Sequence, residues 1–341
     1  MIKILIVKMS SLGDIIHTFP AITDLVNHYK KQKIDVQIDW LVEEAFSQII
    51  KWHPNVSNVI PIALRRWRKN ISINSYKELK ICIKTIRHNK YDVIIDAQGL
   101  FKSAVFSRLA AGKNSFGFDR MSARETIASY LYKHKISVTT KLHAILRIKQ
   151  LFAKSFGYTY EEVIDYGLAK HTKPKTNKYI MFCHGTTWQS KHWPEKYWQE
   201  LAKLCAQQKI TVRIPCYNNI EKQRADSIAS NANSKYIKVL EKMSLEKMKS
   251  ILEKASLVIA VDTGLGHLAA ALNTPTILLY SATDPSLTSP ISKTHITMQH
   301  KLECSPCKKR VCIYKTQQQP AAACFDAVTP KNVLERITQL L

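Results

Sequence analysis

The sequence predicts an α/β protein built from two doubly wound, parallel-sheet domains. Three observations carry that expectation. Short β-rich apolar runs alternate with amphipathic helical runs from end to end. The alternation is interrupted once, at the polar stretch 171–177, which has no apolar residue, and then restarts. The chain has 341 residues, the length of about two ordinary domains.

In the first half, strands are expected at 2–7, 36–42, 59–63, 91–96 and 115–118, each a run rich in Ile, Val, Phe or Tyr. Helices are expected at 15–27, where Ile15, Ile16, Phe19, Ile22, Leu25 and Val26 share a face, and at 76–88, 101–110, 123–134 and 142–156. After the interruption, strands are expected at 179–183, 210–214, 237–240, 257–261 and 276–280, with helices at 195–207, 220–230, 245–253 and 267–272. A last helix at 331–341 could pack on either domain. The resulting division is residues 1–170, residues 178–325, and a terminal helix at 326–341.

Composition narrows the function. With 45% hydrophobic and 23% charged residues the chain can bury real cores and is not disordered. Lys and Arg number 51 against 26 Asp and Glu, a net charge of +25. That surface attracts polyanions, whether nucleic acid, anionic lipid or phosphorylated small molecules. No run approaches the roughly 18 apolar residues of a membrane span, and the N-terminus lacks a signal-peptide pattern, so a cytoplasmic protein is expected. Cysteines in such a compartment stay reduced. Cys82, Cys183, Cys205 and Cys216 read as buried thiols, whereas Cys304, Cys307, Cys312 and Cys324 sit close together and offer a C-x2-C half-site for a structural zinc.

The chemistry-bearing motifs all follow expected strands, where open α/β sheets bind ligands. They are Lys8-Met9-Ser10-Ser11-Leu12-Gly13-Asp14, Asp96-Ala97-Gln98-Gly99, His184-Gly185-Thr186-Thr187 with Lys191 behind it, and Asp262-Thr263-Gly264-Leu265-Gly266-His267. The last is a turn feeding a helix, a place where backbone N–H groups favour phosphate. There is no G-x-G-x-x-G, no Walker A sequence and no Asp-x-Asp pair. A diphosphate would then be held by Lys191 and by the groups of Thr186, Thr187 and Thr263, without a metal. Asp14 is either a helix N-cap or a general base, and His17 a core or cap histidine. Two basic clusters, Arg65-Arg66-Trp67-Arg68-Lys69 and Arg120 with Arg124, fit an anionic acceptor or a solvated face. The first cluster could also dock on an anionic membrane, with Trp67 at headgroup level.

These stretches together resemble the bacterial lipopolysaccharide heptosyltransferases of glycosyltransferase family 9. The resemblance is carried by residues 7–14 (VKMSSLGD), 60–69 (IPIALRRWRK), 95–103 (IDAQGLFKS), 122–125 (SARE), 184–194 (HGTTWQSKHWP), 242–245 (KMSL) and 261–268 (VDTGLGHL). It implies the GT-B architecture, two Rossmann-like domains facing across a cleft. It implies an inverting, metal-independent transfer of L-glycero-D-manno-heptose from ADP-heptose to the Kdo unit of Kdo2-lipid A. Asp14 would be the catalytic base and Lys191 would stabilise the leaving phosphate. Thr186, Thr187, Lys191, Glu221, Met243, Asp262, Thr263, Gly264 and His267 would bind the donor. Ser10, Ser11, Arg65, Arg66, Arg68, Lys69, Arg120 and Arg124 would bind the acceptor. A monomer peripheral to the cytoplasmic face of the inner membrane follows, with no cofactor and no nucleic-acid partner. The cysteine group is more familiar among enzymes that add the second heptose, so the second-heptose acceptor stays an alternative. A basic nucleic-acid-binding protein is the alternative from another class, although no recognised nucleic-acid motif appears.

Overall fold

A computed structural model describes residues 1–168, 179–314 and 322–341. The expected linker at 171–177 lies outside the described residues. The chain divides into two compact units, Met1–Leu168 and Ala169–Leu341.

The first unit is built on β1 (Ile2–Val7), β2 (Val36–Glu43), β3 (Asn58–Ile62), β4 (Tyr91–Asp96), β5 (Gly112–Phe118) and β6 (His134–Ile136). The sheet order is β3-β2-β1-β4-β5-β6, and every pairing is parallel. The second unit repeats the plan with β7 (Tyr179–Cys183), β8 (Thr211–Ile214), β9 (Ile237–Val239), β10 (Leu257–Val261), β11 (Thr276–Tyr280) and β12 (His295–Gln299). Its order, β12-β11-β10-β7-β8-β9, is again that of a dinucleotide-binding sheet, and again wholly parallel. Central strands read as continuous apolar runs because helices cover both faces, as all five residues of β7, β10 and β11 are buried.

In each sheet the strand order reverses beside the first strand, between β1 and β4 and between β7 and β10. Register places Val7 opposite Asp96 in one sheet and Cys183 opposite Ala260 in the other. The chemistry-bearing motifs therefore emerge in pairs at the two switch points, where neighbouring loops diverge and leave a crevice.

Several expected elements are corrected. The helix expected at 15–27 is two, Leu12–Ile16 and Phe19–Lys31, with Pro20 starting the second within its first turn. The helix expected at 123–134 is a short 3₁₀ segment, Thr126–Leu131, followed by β6. There Ala128 and Tyr132 pack on Ala104, and the Tyr132 hydroxyl donates to Asp96 Oδ2 at 2.7 Å. Those anchors hold an extended exit that a helix could not supply. The basic run, for which no helix was expected, is the helix Leu64–Lys69. The terminal helix Pro330–Leu340 buries Val333 and Ile337 in the core of the second unit, which settles where it packs.

Candidate active site

In the first unit, the end of β1 brings Lys8 and Asp14 into one electrostatic environment. Lys8 is 7% exposed, and its ammonium donates to the Ala97 carbonyl at 2.8 Å. Burial pushes that ammonium below its ordinary value; Asp14 and Asp96 oppose the shift and Arg124 and Arg147 add to it. Asp14 sits in the first turn of the helix Leu12–Ile16, half-buried. Its Oδ2 accepts the Ser11 N–H at 2.9 Å and the Ser11 hydroxyl at 2.7 Å. Burial drives the Asp14 carboxyl up, but Lys8, the two Ser11 bonds and His17 outweigh it and hold the group below its ordinary value. Asp14 is thus a helix-end acceptor and an ionised carboxylate at once.

Asp96, at the end of β4, does structural work. Its Oδ1 accepts the N–H groups of Gln98 and Gly99 at 2.8 and 3.2 Å, which shapes the turn behind it. Gly99 needs its left-handed φ of +68°, and a Cβ there would meet Phe118 and the Arg124 backbone. The Gln98 side chain in turn accepts the Met9 N–H at 2.6 Å, tying the two strand ends together.

In the second unit, the corresponding crevice is organised around Asp262, 7% exposed at the end of β10. Lys191 lies 2.6 Å from Asp262 Oδ2, and the Thr283 hydroxyl donates to the same oxygen at 2.6 Å. His267 approaches Oδ1 at 3.3 Å, and the Thr186 hydroxyl donates to the Asp262 backbone carbonyl at 3.2 Å. Burial pushes this carboxyl up, yet His267 and Lys191 together hold it far below the usual range. Thr263 stands at the N-cap position of the helix Gly264–Ala271 with no side-chain cap bond, so the helix begins directly after Asp262 and Thr263 with first-turn N–H groups that its side chain does not satisfy. Gly266 cannot carry a side chain, because a Cβ would stand 2.6 Å from Leu278 and 2.9 Å from Ala260. Burial pushes His184 and His192 down to about 4, so neither imidazole is charged near neutrality, and Lys191 is the cation of that strand-end segment.

Lys191 also lies over the Trp188 ring at 4.6 Å. The turn that carries it is bolted down through buried Ser190, whose N–H donates to the Arg310 carbonyl at 2.9 Å and whose hydroxyl donates to the Lys309 carbonyl at 2.6 Å. Glu221, in the first turn of the helix Asn219–Ala232, accepts the Tyr217 N–H at 2.8 Å and leans on Gly185. Met243 is half-buried in the segment before the helix Leu245–Lys254.

Comparison with known proteins matches residues 80–318 to the model of glycosyltransferase family 9 (heptosyltransferase). A lipopolysaccharide heptosyltransferase 1 of Pseudomonas aeruginosa is 38% identical over 99% of this chain and 98% of its own length. The Escherichia coli K12 protein of the same name is 44% identical over 84% of this chain and 89% of its own. The chain belongs to glycosyltransferase family 9. Among solved structures, E. coli heptosyltransferase WaaC with ADP is 37% identical, covers both chains fully and has a TM-score of 0.84. The same enzyme with ADP-2-deoxy-2-fluoro heptose has a TM-score of 0.81 over the same span. The architecture is the GT-B fold of these heptosyltransferases.

Within this family frame the basic residues divide. Arg66 is engaged twice over: Nε and Nη2 bond Glu44 at 3.1 and 3.0 Å, and Nη1 and Nη2 bond Glu78 at 3.2 and 2.8 Å. It ties its helix to the turn Glu44–Phe46 and to the helix Ile73–His88. Trp67 is buried, with its indole N–H donating to Glu78 at 2.7 Å, so it does not sit at headgroup level. Arg65, over Phe46, and Arg68, Lys69, Arg120 and Arg124 are exposed.

The cysteines divide likewise. Burial pushes the Cys82 thiol up to about 11 and those of Cys183 and Cys205 up to about 12, as fits inert core thiols. Cys324 lies in the second unit's core, and Cys312 packs against it. Cys304, Cys307 and Cys312 all lie near enough to act on the Cys324 thiol, which burial pushes up to about 12; among the described residues no group of three or more His, Cys, Asp or Glu is arranged to hold a metal. Sequence reasoning gave no role to Lys8, Thr283 or Ser190. A lysine ending an apolar strand was the legible signal for Lys8; the other two depend on contacts across 21 and 119 residues.

Proposed function

We propose that the chain is an inverting heptosyltransferase that moves L-glycero-D-manno-heptose from ADP-heptose to the Kdo unit of Kdo2-lipid A, in the assembly of the lipopolysaccharide inner core. The observation that carries the proposal is full-length likeness, at 37% identity, to an enzyme solved with an ADP-heptose analogue. The strand-end groups of both units support it.

The second unit would hold the donor. The diphosphate would meet the N-terminus of the helix Gly264–Ala271, the Thr186, Thr187 and Thr263 groups, and Lys191 released in part from Asp262. Glu221 would bond the nucleoside hydroxyls and Met243 would pack on the adenine. The first unit would bind the acceptor through Ser10, Ser11 and the exposed cations Arg65, Arg68, Lys69, Arg120 and Arg124. Arg66, held by Glu44 and Glu78, would join that set by fixing the helix that carries Arg65, Arg68 and Lys69.

Transfer would be a single displacement. Asp14 takes the proton of a Kdo hydroxyl as that oxygen bonds the anomeric carbon, and the bond from that carbon to the ADP oxygen breaks. Lys8 keeps Asp14 ionised. Lys191 and the helix N-terminus stabilise the charge that grows on the leaving phosphate, in the role a metal ion fills elsewhere. The acceptor being a lipid, the chain would work at the anionic surface of the inner membrane as a monomer.

Turnover of ADP-heptose with purified Kdo2-lipid A, and in parallel with its mono-heptosylated product, tests the assignment. Transfer to the first alone supports it. Transfer only to the second would make the chain the enzyme of the second heptose.

A further inference from the structure

The helix Ile73–His88 has a buried side and an unusual outer one. Cys82 and Ile86 are buried, and Leu79 and Ile83 pack beside them on the first unit's core, a three-and-four spacing that fixes the inner face. The opposite arc carries Ile73, Tyr76, Lys77, Lys80, Ile81, Lys84 and Arg87, all exposed. Ile71, in the turn before the helix, is 90% exposed, Ile73 76% and Tyr76 67%. Aliphatic side chains this bare are costly in water and cluster here at one end of a helix. Lys77, Lys80, Lys84 and Arg87 have no carboxylate partner among the described residues. The helix's one acid, Glu78, is taken up by Arg66 and Trp67 on its flank.

We infer that this face is where the chain lies on an anionic bilayer. Ile71, Ile73 and Tyr76 enter the headgroup–acyl boundary, and the cationic arc rests on lipid phosphates. Free cations beside protruding aliphatics match a surface that is anionic outside and apolar beneath. A nucleic acid would use the charge but has no place for the isoleucines. The inference deepens the proposed function, since it rests on the acceptor being a membrane lipid, and it moves the docking face from the Arg65–Lys69 run to the next helix.

The test floats the full chain with phosphatidylethanolamine–phosphatidylglycerol vesicles and, in parallel, with phosphatidylcholine vesicles. The variants are Lys77→Gln/Lys80→Gln/Lys84→Gln/Arg87→Gln and Ile71→Ser/Ile73→Ser/Tyr76→Ser, all at exposed positions. Binding to the anionic vesicles alone is expected. It should fade as salt shortens the Debye length and drop by up to about 1,000-fold in the charge variant and about tenfold or more in the apolar one. Heptosyl transfer to a deacylated, water-soluble acceptor should be unchanged in both variants, while transfer to vesicle-embedded acceptor falls. Vesicle binding needs no turnover. Its absence alongside transfer to the soluble acceptor would sink this inference alone, and its presence without any transfer would sink the functional assignment alone. Variants that bind vesicles like the parent would overturn it. So would loss confined to the charge variant together with equal affinity for random duplex DNA, which would make the face a polyanion reader.

Discussion

Asp14→Asn separates the helix-end acceptor seen in the structure from the general base proposed for the same carboxylate. As a helix-end acceptor, Asp14 Oδ2 receives two bonds from Ser11, at 2.9 and 2.7 Å. Asn keeps one acceptor oxygen, so the substitution weakens this arrangement without abolishing it. A lost cap costs about 1 kcal/mol. For a unit of this size that lowers Tm by about 2–4 °C. As a general base, the carboxylate would contribute about 10²- to 10⁴-fold in rate, equivalent to about 2.7–5.5 kcal/mol at the barrier. The two effects differ enough to separate. The assay measures kcat with saturating ADP-heptose and Kdo2-lipid A, donor affinity by calorimetry, and Tm on the same sample. The expected result is a loss of kcat of about 100-fold or more, donor affinity within about twofold, and a small drop in Tm. A kcat within about threefold of the parent, with the Tm drop intact, would refute the reasoning and leave Asp14 as a cap alone.

Other outcomes follow from the same geometry. Lys8→Met removes the ammonium that opposes burial at Asp14, so the Asp14 carboxyl rises and the acid limb of the kcat/KM profile moves to higher pH; an unmoved limb would separate Lys8 from the base. Lys191→Ala should weaken donor binding and turnover together by about 10²-fold, and activity should survive EDTA; loss on chelation with recovery on magnesium or manganese would overturn the cationic-clamp account. Lys149 is wholly buried, bonds the Glu161 and Val163 carbonyls and pairs with Asp24 at 3.1 Å. Lys149→Met should cost about 3–5 kcal/mol in denaturant titrations. Burial already raises Asp24, and without Lys149 its folded-state value rises further. The folded state then holds the proton longer than the unfolded chain, so the destabilisation grows as pH climbs through the carboxylate range; a pH-independent loss would place the cost elsewhere.

Local pattern was enough for much of this molecule. Apolar runs such as Tyr179–Cys183 and Leu257–Val261 are strands in any context that covers both faces, and the polar Gly-bearing turns that follow them are where such sheets bind ligands. Asp14, Lys191 and the Asp262–His267 turn were therefore legible as candidates, and the family motifs supplied their expected roles. The weakest elements were not legible. β6 has three residues, and β12, His-Ile-Thr-Met-Gln at a sheet edge, is half-buried throughout, so neither shows a strong hydrophobic signal. What each candidate does was decided by groups far along the chain. Arg66 was one cation in a basic run until Glu44 and Glu78 closed on it from 22 residues before and 12 after. Lys191 became half of an ion pair only because β10 runs beside β7, bringing Asp262 to its ammonium. Asp14 is held below its ordinary value by a lysine six positions earlier, and that lysine is buried because the Ala97 carbonyl at the end of β4 receives it. Periodicity reports which residues face a core, since burial of apolar surface is a local tendency of the chain. The charge state and partner of a polar group depend on distance, and distance between strand ends exists only once the sheet has formed.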